Sequence, residues 1–214
     1  MQETPLAALL LAARPLLAPA FSLWGSPVTW LELVAFVLSV AMVLANLRVN
    51  PVGWPLAIAS SLLYALLFAD SRLYGEASLQ IFFVVVAFWG WWQWLRGKGA
   101  DGHALQLRWM TNRLRWQAAA ATLAAWPALA LVLRQTTDTD VPWLDALPTV
   151  ASVTGQFLLG RKLVDNWPLW VGVNLFSIGL FAYKALWLTV ILYAVFTLLA
   201  LAGWRAWQRL ASHA

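Results

Sequence analysis

Seven stretches of mostly apolar residues, 30–47, 53–70, 75–95, 115–134, 144–161, 167–183 and 186–204, run almost end to end through this chain of 214 residues. Each is close to the roughly 20 apolar residues that a helix needs to cross the hydrocarbon core of a bilayer. With 62% hydrophobic and 11% charged residues, the chain has too little polar surface to cover a water-soluble globule. It reads as an all-α integral membrane protein with seven core transmembrane helices and no length left for a separate soluble catalytic domain. Residues 5–24 are apolar too, but Arg14 and prolines at 5, 15 and 19 interrupt them. They are expected to form an amphipathic or partly inserted segment, and the lack of a basic region before them argues against a cleaved signal peptide.

Orientation follows from lysine and arginine, which accumulate on the cytoplasmic side of membrane proteins. Arg48, Arg96, Lys98, Arg108, Arg113, Arg115, Arg161, Lys162, Arg205 and Arg209 all fall on one side of the seven-span scheme. That side is assigned to the cytoplasm, which puts the C-terminus there as well. The basic loop between 96 and 115 is explained as a topology signal that also meets anionic lipid, rather than as a nucleic-acid surface.

Sliding the chain against itself by 113 residues reveals an internal repeat. Trp30-Leu31-Glu32 falls on Trp143-Leu144-Asp145, Trp54-Pro55-Leu56 on Trp167-Pro168-Leu169, and Gly90-Trp91 on Gly203-Trp204. Without a gap, 21 of the 67 aligned positions are identical, including Ser39 with Ser152, Arg48 with Arg161, Trp94 with Trp207 and Arg96 with Arg209. The expected organisation is an N-terminal segment (1–29), a first three-helix repeat (30–96), a basic loop and linker helix (97–142), a second three-helix repeat (143–209) and a short tail (210–214). Because the single linker helix adds one crossing, the two repeats run parallel through the membrane, as in carriers built from parallel repeats.

Polar residues inside the spans sort onto helical faces. In the fifth span Asp145, Thr149, Ser152 and Gln156 are spaced by four, three and four, and in the sixth Trp170, Asn174, Ser177 and Phe181 repeat that spacing. Gln80 in the third span and Tyr193 in the seventh occupy equivalent positions of the two repeats. Where the first copy has Phe36, Val43, Ser61 and Gln80, the second has Thr149, Gln156, Asn174 and Tyr193. Hydrogen-bonding capacity is thus concentrated in the second copy. Uncharged amides and hydroxyls beside aromatic faces suit a flat ring bearing an amide and a sugar's hydroxyls, and the fixed charge of a pyridinium gains further from an indole or phenol face.

Plainer roles compete for many of these residues. Serine and threonine in membrane helices commonly bond to their own backbone or to a neighbouring helix, which applies to Ser39, Ser61, Ser152 and Ser177. Gln80, Gln156 and Asn174 are stronger candidates, because a buried amide needs several partners. The tryptophans at 30, 54, 91, 94, 143, 167, 204 and 207 fall near helix ends and are expected to be interfacial anchors. Trp89, Trp170 and Trp187 remain to stack on a ring, and Lys184 and Arg72 are expected to snorkel at the outer face.

Three segments carry a family likeness. The run Asn50-Pro51-Val52-Gly53-Trp54-Pro55 followed by Ser60-Ser61-Leu62-Leu63-Tyr64, the segment Gln80-Ile81-Phe82-Phe83 leading to Trp89-Gly90-Trp91-Trp92-Gln93-Trp94, and the block from Arg161-Lys162 to Trp167, Trp170 and Asn174 resemble the PnuC family of bacterial vitamin transporters. The resemblance covers roughly residues 30–209. It implies a SWEET-like fold in the bacterial inner membrane, uptake of nicotinamide riboside, and trapping of that substrate by a cytoplasmic kinase instead of ion coupling. It also implies substrate contacts around Gln80, Trp170, Asn174 and Ser177. With the residues read from the stripes and the family segments, the candidate binding set is Trp170, Asn174, Ser177, Gln80, Gln156, Tyr193, Ser61, Tyr64, Ser152 and Trp89. The implied partners are a small vitamin, membrane lipid and the kinase; no nucleic acid, metal or cofactor is expected, and a homo-oligomer is compatible. Thiamine or riboflavin is the alternative cargo, since the family includes relatives for both.

Two other classes were weighed against a carrier. An intramembrane enzyme needs a nucleophile with a base, or a metal site, yet the only histidines, His103 and His213, sit in a loop and at the tail. A seven-helix retinal photoreceptor would use Lys184, but that lysine falls at a helix boundary and the parallel repeat would go unexplained.

Overall fold

A computed structural model describes residues 5–23, 25–70, 74–99, 102–136, 141–183 and 187–212. Lys184 and Arg72 lie outside these. Eight helices follow one another among the described residues: α1 (Pro5–Leu17), α2 (Trp30–Leu47), α3 (Gly53–Asp70), α4 (Tyr74–Arg96), α5 (Asn112–Thr136), α6 (Pro142–Gly160), α7 (Asn166–Tyr183) and α8 (Trp187–Ala211). By length and composition five segments are able to cross a membrane, in α2, α3, α4, α5 and α8. The helices expected at 144–161 and 167–183 are present as α6 and α7 but fall outside that set. Polar residues such as Asp145 and Gln156 in α6 and Asn166 and Asn174 in α7 lower their apolar content.

The N-terminal segment contains a short helix and a hairpin. α1 has 13 residues, about 20 Å of helix and too short to span. It is followed by an antiparallel hairpin of β1 (Pro19–Leu23) and β2 (Ser26–Thr29). The turn between the strands contains Gly25, which adopts φ +83°. The hairpin leads directly into α2, where the Thr29 hydroxyl accepts from the Glu32 backbone N–H at 3.1 Å and caps the helix.

The chain divides into two compact units, residues 1–42 with 52–88, and residues 43–51 with 89–214. In the first, α2 and α3 are joined by a buried knot of hydroxyls. Ser39 Oγ and Ser60 Oγ share a hydrogen bond of 2.6 Å and lie 2.9 and 3.1 Å from the Ala35 carbonyl, so one hydroxyl donates to the other, which in turn donates to that carbonyl. Ser39 is therefore helix-packing glue, as small polar residues in membrane helices often are.

In the second unit α5 packs on α6, α6 on α7, and α7 on α8. The turn after α2 and the turn after α6 are the same device, 113 residues apart. Val49 and Lys162 both adopt left-handed backbone, at φ +52° and +54°. In each turn their N–H groups donate to Asn46 and Leu159 carbonyls at 3.0 Å, and those of Asn50 and Leu163 donate to Ala45 and Leu158 at 3.0 Å. This is the Schellman pattern, normally closed by glycine; here a β-branched valine and a lysine hold the strained position.

Two indoles tie these turns to the ends of α4 and α8. Trp94 Nε1–H donates to the Leu159 carbonyl at 3.0 Å, and Trp207 Nε1–H donates to the Asn46 carbonyl at 2.9 Å. Trp94 and Trp207 are equivalent across the repeat, and so are Asn46 and Leu159, so each copy's last tryptophan caps the other copy's turn. Their rings meet at 6.1 Å. This corrects the interfacial-anchor reading: Trp30 and Trp143 are exposed as expected, but Trp54, Trp94, Trp167 and Trp207 are buried.

The basic stretch between α4 and α5 is more than a topology signal. Arg108 bridges to Leu163 in parallel register, the Lys162 ammonium donates to the Leu105 carbonyl at 3.1 Å, and Asp165 accepts from Met110 N–H at 2.8 Å and from Arg115 Nε at 2.7 Å. Met110, Leu158 and Leu163 form a buried apolar cluster beneath this strap. Burial holds the Lys162 pKa below the ordinary lysine value.

Candidate substrate site

The α6–α7 pair carries half of the candidate residues, and a glycine sets how closely its helices approach. Gly155 on α6 is buried and faces the Trp170 indole on α7 so closely that a Cβ added there would sit 3.0 Å from Trp170 Cε2 and 3.1 Å from Cζ2. The two helices are antiparallel, joined by the short turn at 161–165. With Gly155 level with Trp170, the 1.5 Å rise per residue puts Asn174 about 6 Å further along, level with Ala151.

Asn174 and Ser177 are buried on α7, at 5% and 2% exposure. Neither forms a side-chain hydrogen bond among the described residues. The Gln156 Oε1 atom on α6 is likewise buried without a partner among them. A buried amide oxygen without a partner costs on the order of 1–3 kcal/mol, which makes Gln156, with the buried Asn174 and Ser177 on the neighbouring helix, the candidates for contact with a ligand. Thr149, on the same stripe, donates to its own backbone at Asp145 and is satisfied internally. Ser152 is half-buried.

The aromatic members divide. Trp170 is half-buried and rests on Gly155 by one edge. Trp89, about two turns before the end of α4, stacks on Phe157 of α6 with ring centroids 5.3 Å apart and planes 9° apart. It also lies against Gly160, where an added Cβ would clash with Trp89 Cζ3. One face of Trp89 is thus already occupied by protein. Tyr193 on α8 is half-buried and meets Phe196 edge-on at 6.3 Å. In the other unit Ser61, Tyr64 and Gln80 are all half-buried, and Tyr64 stacks on Phe68 at 6.1 Å. The candidates that remain on the α6–α7 pair are Gln156, Trp170, Asn174 and Ser177. Sequence reasoning missed Gly155 and Gly160, since a helical glycine reveals nothing of what rests on it. The signal was there in the repeat, where Gly155 stands opposite Met42 and Gly160 opposite Leu47.

A family model described as nicotinamide mononucleotide transporter matches residues 29–209. The chain belongs to this family, the PnuC transporters. The nicotinamide riboside transporter PnuC of Escherichia coli K12 is 26% identical over 208 residues, covering 86% of this chain and 87% of that protein. The riboflavin/roseoflavin transporter RibM of Streptomyces davaonensis is 28% identical over 191 residues, covering 88% of this chain and 89% of that one. A crystal structure of the vitamin B3 transporter PnuC superposes with a TM-score of 0.71 at 24% identity, over 86% of this chain and 83% of that one. The fold is therefore that of a PnuC-type carrier, and the chain is a multi-pass membrane transporter rather than an enzyme.

Proposed function

We propose that this chain carries nicotinamide riboside across the bacterial inner membrane into the cytoplasm by facilitated diffusion, with a cytoplasmic kinase trapping the vitamin by phosphorylation. The observation that carries the reading is the set of uncharged polar side chains on the α6–α7 pair beside the Trp170 indole: Gln156, whose buried Oε1 has no partner among the described residues, and the buried Asn174 and Ser177. A carboxamide offers a donor and an acceptor to Asn174 and Gln156, ribose hydroxyls suit Ser177, and a pyridinium gains from the face of Trp170. The stripes facing this site carry no ionised side chain at mid-helix, which favours a carrier without a coupling ion. Two parallel three-helix repeats around a linker helix supply the scaffold, with the C-terminus in the cytoplasm.

Riboflavin is the second reading, favoured by the RibM relative; thiamine, another flat cation, is the third cargo that the site chemistry admits. Calorimetric titration of the purified protein with the three vitamins separates them, nicotinamide riboside being expected to bind most tightly. Liposomes carrying the protein should then equilibrate that vitamin with no ion gradient. Uphill accumulation driven by a proton or sodium gradient would overturn facilitated diffusion, and tighter binding of riboflavin would transfer the assignment to the second reading.

A further inference from the structure

The Trp170 indole lies on α6 only because residue 155 has no side chain. The Cβ of an alanine there would stand 3.0 Å from Trp170 Cε2, 3.1 Å from Cζ2 and 3.3 Å from Nε1. Those distances are shorter than van der Waals contact, so the indole would have to retreat by a few tenths of an ångström. Trp170 is one turn before Asn174 on the same face of α7. Any retreat of the ring therefore alters the space beside the buried Asn174 amide. The first repeat lacks this arrangement altogether: Met42 stands opposite Gly155, and Ala57 opposite Trp170. A notch and the large ring that fills it occur together in one copy and are absent together from the other.

We propose that Gly155 is the size-determining position of the substrate site: by letting Trp170 lie directly on the α6 backbone, it sets the width left for a flat ring and so which vitamins fit. This rests on the reading of Trp170 and Asn174 as substrate contacts. Gly155 is a positioning residue, acting through Trp170 without touching the cargo. Tight packing is what makes it sensitive, since displacements of a few tenths of an ångström are felt in a close-packed interior. A ring that covers more of the indole loses more when the slot narrows.

The test compares nicotinamide riboside with its quinolinium analogue, which adds a second fused ring, on the full-length protein in detergent. Gly155→Ala should weaken binding of the two-ring probe at least tenfold more than that of the one-ring probe, with the unfolding midpoint little changed. Adding Trp170→Phe, which removes the edge that the new methyl meets, should bring the ratio of the two affinities back toward wild type. Equal losses for both probes, or no recovery in the double variant, would show that Gly155 only packs helices. If Gly155→Ala does not fold, Trp170→Phe alone must shift the ratio toward the two-ring probe, and an unchanged ratio overturns the proposal. Wild-type protein that binds neither probe defeats the site reading itself, whereas wild-type binding with unaltered ratios in the variants defeats only the role of Gly155.

Discussion

Trp207 and Trp167 provide a matched pair for measuring what the exchanged indole hydrogen bonds contribute. Both are essentially buried, at 0% and 3% exposure, and their rings meet edge-on at 5.5 Å. They differ at the nitrogen. Trp207 Nε1–H donates to the Asn46 carbonyl at 2.9 Å, while Trp167 Nε1 is buried with no partner among the described residues. Changing either to Phe removes a similar volume, so the cavity cost nearly cancels in the comparison. For Trp207 the lost hydrogen bond is worth about 1 kcal/mol and no more, because the Asn46 carbonyl keeps the Val49 N–H at 3.0 Å and is not stranded. For Trp167 the substitution deletes a buried donor whose desolvation already costs about 1–3 kcal/mol, so it offsets part of its own cavity. Trp207→Phe should therefore be the more destabilising by about 2–4 kcal/mol, toward the lower end if hydrogen bonds in the bilayer are as modest as those measured between other membrane helices. Equilibrium unfolding in mixed micelles, titrating in denaturing detergent, reads the difference directly. Equal costs for the two variants would mean that the indole nitrogens do not matter and that the repeated turns are held by apolar packing alone.

Three further outcomes are expected. Val49→Gly should raise stability by about 1 kcal/mol in the same assay, since glycine occupies left-handed backbone without the steric cost that valine bears at φ +52°; a loss of stability would show that the valine side chain outweighs the strain. With no native cysteine to interfere, Ala104→Cys should be shielded from an impermeant external thiol reagent and Gln135→Cys should react, and labelling at 104 from outside would reverse the orientation. Asn174→Leu should weaken vitamin binding by about 1–3 kcal/mol while the protein still folds, whereas Ser61→Leu, its counterpart in the first repeat, should bind nearly as wild type. Wild-type affinity in both variants would leave Asn174 as helix packing.

Much of the helical architecture is legible in the sequence because a bilayer simplifies the code: an apolar run of sufficient length has to be a helix, and the seven runs correspond to α2 through α8. The equivalence of the turns at 49 and 162 is legible through the 113-residue shift, even though valine and lysine are unlike residues. What the shift could not convey is who bonds to whom. Trp94 and Trp207 look like interfacial anchors because they lie near helix ends; their use as caps for each other's turns depends on long-range packing with no local signature. Asp165 is similar, an acidic residue in a short turn whose partners, Met110 N–H and Arg115, lie 55 and 50 residues away. The β1–β2 hairpin was hidden by apolar composition, which dominates any reading of the first 29 residues and masks a short turn.

The repeat also works as an internal control that separates scaffold from site. At positions where the two copies hold the same residue, the structure finds architecture: Trp94 and Trp207 cap the exchanged turns, Trp54 and Trp167 are buried, and Ser39 belongs to the hydroxyl knot of its unit. The candidate contacts fall where the copies differ, at Val43 against Gln156, Ala57 against Trp170, Ser61 against Asn174 and Tyr64 against Ser177. A scaffold of two like halves has reason to keep the residues that make each half fold, but a small asymmetric cargo has no need of two like walls. Differences between copies are therefore informative where they add a buried polar group without a protein partner, because burial of such a group is a cost in either copy and is tolerated only where something offsets it. Gln156 satisfies that condition among the described residues, and Thr149, which bonds to its own backbone, does not. By the same standard the α6–α7 face of the second copy, with Gly155 beneath Trp170, is where substitutions should change which vitamin is carried, while substitutions at the shared tryptophans should change only whether the protein stands.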